Sequence, residues 1–307
     1  MYDSPKPPDE EELAASRRAG FSHLWTVASD YQVIDGFLYE RYPEARYIAP
    51  AGSPQLFSEV AKLHEGDSEA VLAFARRWGK LGWAEVARAS VGSFDAYVEE
   101  VRKYQTRMPH ETSLIGEPLP WIWAHARGIR VCLDVLRYLR LRDLDGLDRY
   151  LGPIRRPLGE DYPELMAVHI PFGAGHTIFD SQAGAIKGIE KEGWYIIWFI
   201  VNTNLVGIRH RLDMLDGAGV QVTRVYRGLI DVAYWQLAEL AQDTQRVGVC
   251  EECGAIFRQE DRRQRFCPPP RWEDEGGQVH GPEESACAKK ARMRRLRSRE
   301  KERGKDA

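Results

Sequence analysis

Apolar residues recur every three or four positions along much of the chain, and that period predicts helices. Asp9 with Glu12 forms a capping-box pair that opens a polar helix. Ser53 and Pro54 read as an N-cap followed by proline at the first helical position. Asp67 caps a helix through Val71, Leu72, Phe74 and Ala75, which Gly79 ends. Ser93 caps the next, with Phe94, Tyr97, Val101 and Tyr104 at helical spacing. The longest helix is expected over 120–141. There Ile122, Ala126, Ile129, Cys132, Leu133, Leu136 and Leu139 form one stripe, with Arg127, Arg130, Arg137 and Arg140 mostly off it. Cys132 on that stripe reads as a buried, inert thiol.

Further on the pattern weakens. Residues 152–193 are rich in Gly and Pro and suggest a small hairpin or an irregular insertion. The apolar run 194–201 fits a buried strand or a buried helix. Its continuation through Leu205, Ile208, Leu212 and Leu215 favours one helix over 194–215, stopped by Gly217 and Gly219. Residues 220–226 form a strand or a linker. Leu229, Val232, Ala233, Gln236, Leu237 and Leu240 then predict a helix that leads into a group of cysteines.

Composition adds bounds. The chain has 307 residues, 43% hydrophobic and 29% charged, which is globular and suggests two domains. Its longest apolar run is far short of the roughly 20 residues that a membrane-spanning helix needs. The N-terminus is acidic and proline-rich, unlike a signal peptide, so a cytoplasmic protein is expected. Net charge is −3, but residues 246–307 hold 16 Lys/Arg against 12 Asp/Glu. A basic arm thus joins an acidic body.

Four of the five cysteines lie near the C-terminus. Cys250 and Cys253 form a C-x2-C pair, Cys267 follows after 13 residues and Cys287 after 19 more. An odd count without an export signal argues against a disulfide framework. The C-x2-C pair follows a helix and precedes Ala255, Ile256 and Phe257, expected as the first arm of a hairpin. That is not the strand-to-helix junction of a redox motif. The spacing therefore points to a structural metal, Zn2+, held by Cys250, Cys253, Cys267 and Cys287. Gly254 supplies the positive φ that such a knuckle needs. His280 is the alternative fourth ligand. Cys287 is favoured because it opens a helix-prone run that Ser285 can cap, and a helix N-terminus stabilises a thiolate.

Cations surround this cluster. Arg262, Arg263 and Arg265 lie between ligands; Lys289, Lys290, Arg292, Arg294, Arg295, Arg297 and Arg299 follow the last one. Arginine forks suit phosphate, so nucleic acid, duplex DNA foremost, is the expected partner. A solvated tail, or contact with a protein or a membrane surface, accounts for the same charge.

Residues 226–307 resemble the CGNR-type zinc finger. The likeness lies in the cysteine pair followed by Gly254, Ile256 and Phe257, in the run Arg262 to Cys267, and in the basic run after Cys287. Ala288, Lys289 and Lys290 stand where that family has Gly-Asn-Arg, and 268–285 has the form of an insertion. The resemblance implies a C-terminal zinc module behind a larger N-terminal domain, as in the ABATE-type proteins proposed as bacterial transcription regulators.

The expected fold is mainly α with a small β component. A helical body over 1–245 is followed by a treble-clef-like zinc module over 246–307 with a basic C-terminal helix. The expected function is a DNA-binding transcriptional regulator, whose body senses a small-molecule ligand or forms a homo-oligomer. The alternative is a zinc-stabilised interaction or assembly protein. His169, His176, Asp180 and His210 are the candidate set for an enzyme, but no catalytic motif accompanies them, and none is expected. Nine Trp and thirteen Tyr serve either a pocket or the core.

Overall fold

A computed structural model of the chain describes residues 25–48, 55–83, 116–153, 188–205, 208–215, 219–243, 246–269, 272–273 and 279–303. The helices expected from Asp9 and Ser93 lie outside these residues, as do Ser53 and Pro54. The architecture is mainly α with small antiparallel sheets, as the pattern predicts.

The described residues begin with a hairpin, where helix was expected. β1 (Trp25–Ile34) pairs antiparallel with β2 (Phe37–Ile48), Ile34 opposite Phe37. The two-residue turn between them is Asp35 and Gly36, at φ 50° and 82°. Both angles are positive, the turn that matches strand twist and that Asp-Gly favours. That dipeptide between apolar residues is the signal that helical period-counting passes over.

α1 (Leu56–Ala61) and α2 (Ser68–Trp78) follow. The Asp67 side chain accepts from Ala70 N at 2.9 Å, and Gly79 N donates to Ala75 O at 2.8 Å, the expected start and stop. α2 lies across β1. The two-residue β3 (Glu117–Pro118) then extends the hairpin to three strands.

α3 (Leu119–Leu141) is the longest described helix and touches α1 and several later elements. Its expected stripe holds: Ile122, Ala126, Ile129, Cys132 and Leu136 are buried, while Leu133 and Leu139 are half-buried. Burial pushes the Cys132 thiol far above its ordinary range, so it is inert. Off the stripe, Arg130 donates to Ala61 O at 2.8 Å and Leu63 O at 2.7 Å, neutralising the C-terminal end of α1. α4 (Leu144–Leu151) turns back against α3.

α5 (Ile189–Leu205) corrects the expected helix over 194–215. It starts earlier and stops ten residues sooner, and β4 (Arg209–Leu215) follows, paired with β5 (Gly219–Val225). Two causes are visible. Asn202, Thr203 and Asn204 each bond back to the carbonyl four residues earlier, at 2.8, 2.8 and 2.7 Å, which weakens the helix end. Leu212 and Met214 face Val222 and Val220 across the ladder, so the period of two wins over the chance period of three to four. Residues 154–187, most of the expected insertion, lie outside the described set.

α6 (Leu229–Gln242) is buried on α3, α5 and α1, as its pattern predicts. Two short antiparallel pairs follow: β6 (Val247–Val249) with β7 (Ile256–Arg258), and β8 (Trp272–Glu273) with β9 (Val279–His280). The segment Ile256 to Arg258 is thus the second arm of its hairpin; β6, ahead of the cysteines, is the first. α7 (Ala286–Arg303) ends the described chain. Val247 and Ile256 belong to the same apolar cluster as the body helices. Among the described residues, no helix is long and apolar enough to cross a membrane.

Candidate metal centre

The β6–β7 turn builds the first half of the site. Cys250 N donates to Ala255 O at 2.9 Å and Gly254 N to Cys250 O at 2.8 Å, closing a tight knuckle around Cys250 and Cys253. Glu251 N donates to Arg265 O at 3.0 Å, which ties the loop carrying Cys267 to that knuckle. Cys287 comes from the first turn of α7. Ser285 caps this helix through Ala288 N at 3.1 Å, as expected.

The four sulfurs of Cys250, Cys253, Cys267 and Cys287 all lie within 4.8 Å of one another. A tetrahedral site with metal–sulfur bonds of about 2.3 Å has sulfur–sulfur edges of about 3.8 Å, so the group could hold a metal ion with small adjustments. The donor chemistry fits as well. Burial pushes the Cys250 thiol up, but backbone N–H groups of Cys253, Cys267 and Glu252 outweigh it and bring the thiol down to about 7. Burial and the neighbouring sulfurs push Cys287 up to about 11 and Cys267 higher still. Four crowded thiols cannot all ionise alone; a divalent cation removes that conflict. His280 stands in β9, and its side chain is outside the described set.

Gly254 sits at φ 72°, and a methyl group there would meet only the Arg137 guanidinium, at 4.0 Å. The constraint is therefore the backbone angle, not space. Gly254→Ala should weaken metal retention about tenfold in chelator competition, since a left-handed alanine costs about 1–2 kcal/mol. Gly254→Asn should fall between the two. Equal retention by all three proteins would refute the strained-knuckle account.

The cations divide into two groups. The Glu252 carboxylate, its side chain only 6% exposed, accepts from Lys290 Nζ at 3.0 Å and Arg294 Nη2 at 2.6 Å. The Lys290 hydrogen bond first, with Arg294, holds its carboxyl below the usual range. Arg292 pairs with Glu284 at 3.0 Å and Arg265 with Glu251 at 3.5 Å. Lys290, Arg294 and Arg265 thus fasten α7 and the Cys267 loop to the knuckle, while Arg292 ties α7 to the segment just before it. Arg262, Arg263, Lys289, Arg295 and Arg297 are exposed and, among the described residues, in no ion pair. Arg295 lies 6.0 Å from the Phe266 ring centre. The Arg299 side chain is outside the described set.

Glu252 was not singled out by its sequence. The available signal was an acid inside the C-x2-C pair of a module otherwise followed by cations. Of the enzyme candidates, His210 is exposed on β4, while His169, His176 and Asp180 lie outside the described residues. No family model, no curated protein and no solved structure matches this chain.

Proposed function

We propose that this protein is a zinc-containing, DNA-binding transcriptional regulator whose C-terminal module is of the CGNR type. The order of parts supports a treble-clef-like module: a knuckle in a hairpin, a loop with the third ligand, and a helix that opens on the fourth. The observation that carries the DNA reading is the division of the cations. Four are ion-paired within the module, and five, among the described residues, are in no ion pair and can meet an outside polyanion. The body then senses a small molecule or mediates assembly of copies.

The test is duplex binding against salt. Five phosphate contacts give a log–log slope of about −4.5, hence about a 500-fold loss of affinity between about 50 and 200 mM salt. Changing Arg262, Arg263, Lys289, Arg295 and Arg297 together to Gln should remove most of that slope and leave the metal in place. Arg292 and Arg294 are excluded from the variant because their loss would also loosen α7. Absence of binding to duplex and single-stranded DNA at low salt defeats the reading.

One observation favours a second reading, a zinc-stabilised protein-interaction module. Met293 and Leu296 are 41% and 43% exposed on α7. They offer apolar contact to a protein. Binding through them would be nearly insensitive to salt.

A further inference from the structure

Where the end of α3 meets the β6–β7 hairpin, a cleft of about 580 Å³ lies open, within the size range of small-molecule sites. Arg140, Arg142, Arg262, Glu190, Gln259 and Trp194 are among its lining residues. Three arginines and one glutamate thus line it. Three nearby arginines are ion-paired: Arg137 with Asp134, Arg246 with Asp243, Arg258 with Glu239. Among the described residues, Arg140, Arg142 and Arg262 are in no ion pair.

A backbone carbonyl holds the Arg140 side chain, and local turns fix the backbone around Arg142 and Arg262. Arg140 Nε donates to Val247 O at 3.2 Å, and among the described residues its terminal nitrogens make no ion pair. Arg142 ends α3 at φ 54°, where Gly or Asn is the usual residue. Its N–H donates to Leu139 O at 3.2 Å, and Asp143 next to it caps α4 through Gly146 N at 2.8 Å. An arginine kept at a strained corner points to a use for its side chain. Arg262 sits in a loop folded on itself, with Arg263 N donating to Asp261 Oδ1 at 2.8 Å and Gln259 Nε2 to Gln264 O at 2.8 Å.

We propose that this cleft binds a small organic phosphate that carries a flat ring, a nucleotide in its chemistry. Guanidinium forks suit phosphate oxygens, and the half-buried Trp194 offers a face for a ring. The adjoining hollow shares Gln259 and Arg262 and adds three acids, Asp243, Glu260 and Asp261, against one further cation, Arg246, which pairs with Asp243. That charge keeps the phosphate at the α3 end and leaves the acidic side for hydroxyl groups. Because the cleft joins the body to the loop between two cysteines, its ligand would bridge them and occupy Arg262, one of the five uncommitted cations.

Calorimetric titration of the full-length protein tests this, with ADP, pyrophosphate, adenosine and a thymidine octanucleotide as probes. ADP should bind saturably at one site and quench tryptophan fluorescence, and Trp194→Phe should remove that quench. Adenosine should bind far more weakly than ADP. Arg142→Asn, which suits the left-handed corner, and Arg262→Gln should each weaken ADP about tenfold or more. Melting curves confirm that both variants are folded. The proposal is overturned if neither ADP nor pyrophosphate binds saturably, or if the double variant binds ADP like the parent. It is also overturned if only the octanucleotide depends on these arginines; the cleft would then be part of a nucleic-acid surface. Duplex binding without ADP binding leaves the DNA reading intact, so the two fail separately.

Discussion

Cys253→Ser is expected to leave the purified protein without bound metal and with its last 60 or so residues unfolded, since zinc binding supplies about 10–16 kcal/mol of folding free energy in units of this size. The module has little else to fold on. Among its described residues only Val247, Gly248, Cys250, Ile256, Phe257, Ser285 and Ala291 are buried. α7 exposes every described side chain from Arg292 to Ser298, so it cannot hold itself by packing. A helix of like charges without tertiary support is marginal in water. Elemental analysis should fall from about one metal per chain to none, and amide exchange should lose protection in β6, β7 and α7. α2, α3 and α6 should keep theirs, because they bury their own stripes. The loss will still be felt in the body, since Val247 and Ile256 sit in its apolar cluster. Stoichiometric metal in the variant would end the assignment. Cys287→Ser tests the fourth ligand in the same way; metal lost instead in His280→Ala would transfer the role.

The contrast between what was legible and what was not follows the range of the interactions. Asp67, Gly79 and Ser285 announce helix ends because capping is settled within four residues. The stripe of α3 is legible because one face of a long helix must find the core. The cysteine spacing is legible because a knuckle is local and thiolates have few other uses in such a cluster. β1 and β2 were missed although Asp35-Gly36 marks their turn, since each strand also contains apolar residues at helical intervals. The end of α5 was missed because Ile208, Leu212 and Leu215 continue the helical count while pairing with β5 decides the matter from outside. Division of the cations could not be read at all. Lys290 and Arg294 meet Glu252 from 38 and 42 residues away, and sequence alone does not distinguish them from Lys289 or Arg297.

Glu117 is a second place where distant residues decide, and its removal should be among the most damaging single changes in the body. It is 2% exposed. Its Oε1 accepts from Leu81 N at 2.9 Å, and its Oε2 from Gly82 N at 2.7 Å and Trp83 N at 3.0 Å. The same segment is pinned from its other side, where Leu81 O accepts from Ile230 N at 3.0 Å at the start of α6. Glu117→Ala strands three buried N–H groups and should cost about 3–5 kcal/mol, a large share of an ordinary domain's stability. Glu117→Gln keeps one oxygen in place and should cost less. The carboxyl also carries a pH signature. Burial pushes it up to about 7, against the downward pull of the three N–H groups and Lys80. A carboxyl raised on folding contributes stability that is full below its unfolded value of about 4.3, and that is lost as pH rises through about 7. His125, pushed down to about 3 by burial, has the opposite sign: its contribution is full above about 6.5 and lost as pH falls. The two windows overlap, so the parent protein's own curve is flattened. Subtracting the Glu117→Gln curve removes the histidine, which both proteins share. The parent's advantage over Glu117→Gln should therefore shrink by up to about 3 kcal/mol between about pH 4.5 and 7.5 in urea titrations. Parallel curves across that window would mean that Glu117 keeps one protonation state, and the raised carboxyl would have to be abandoned.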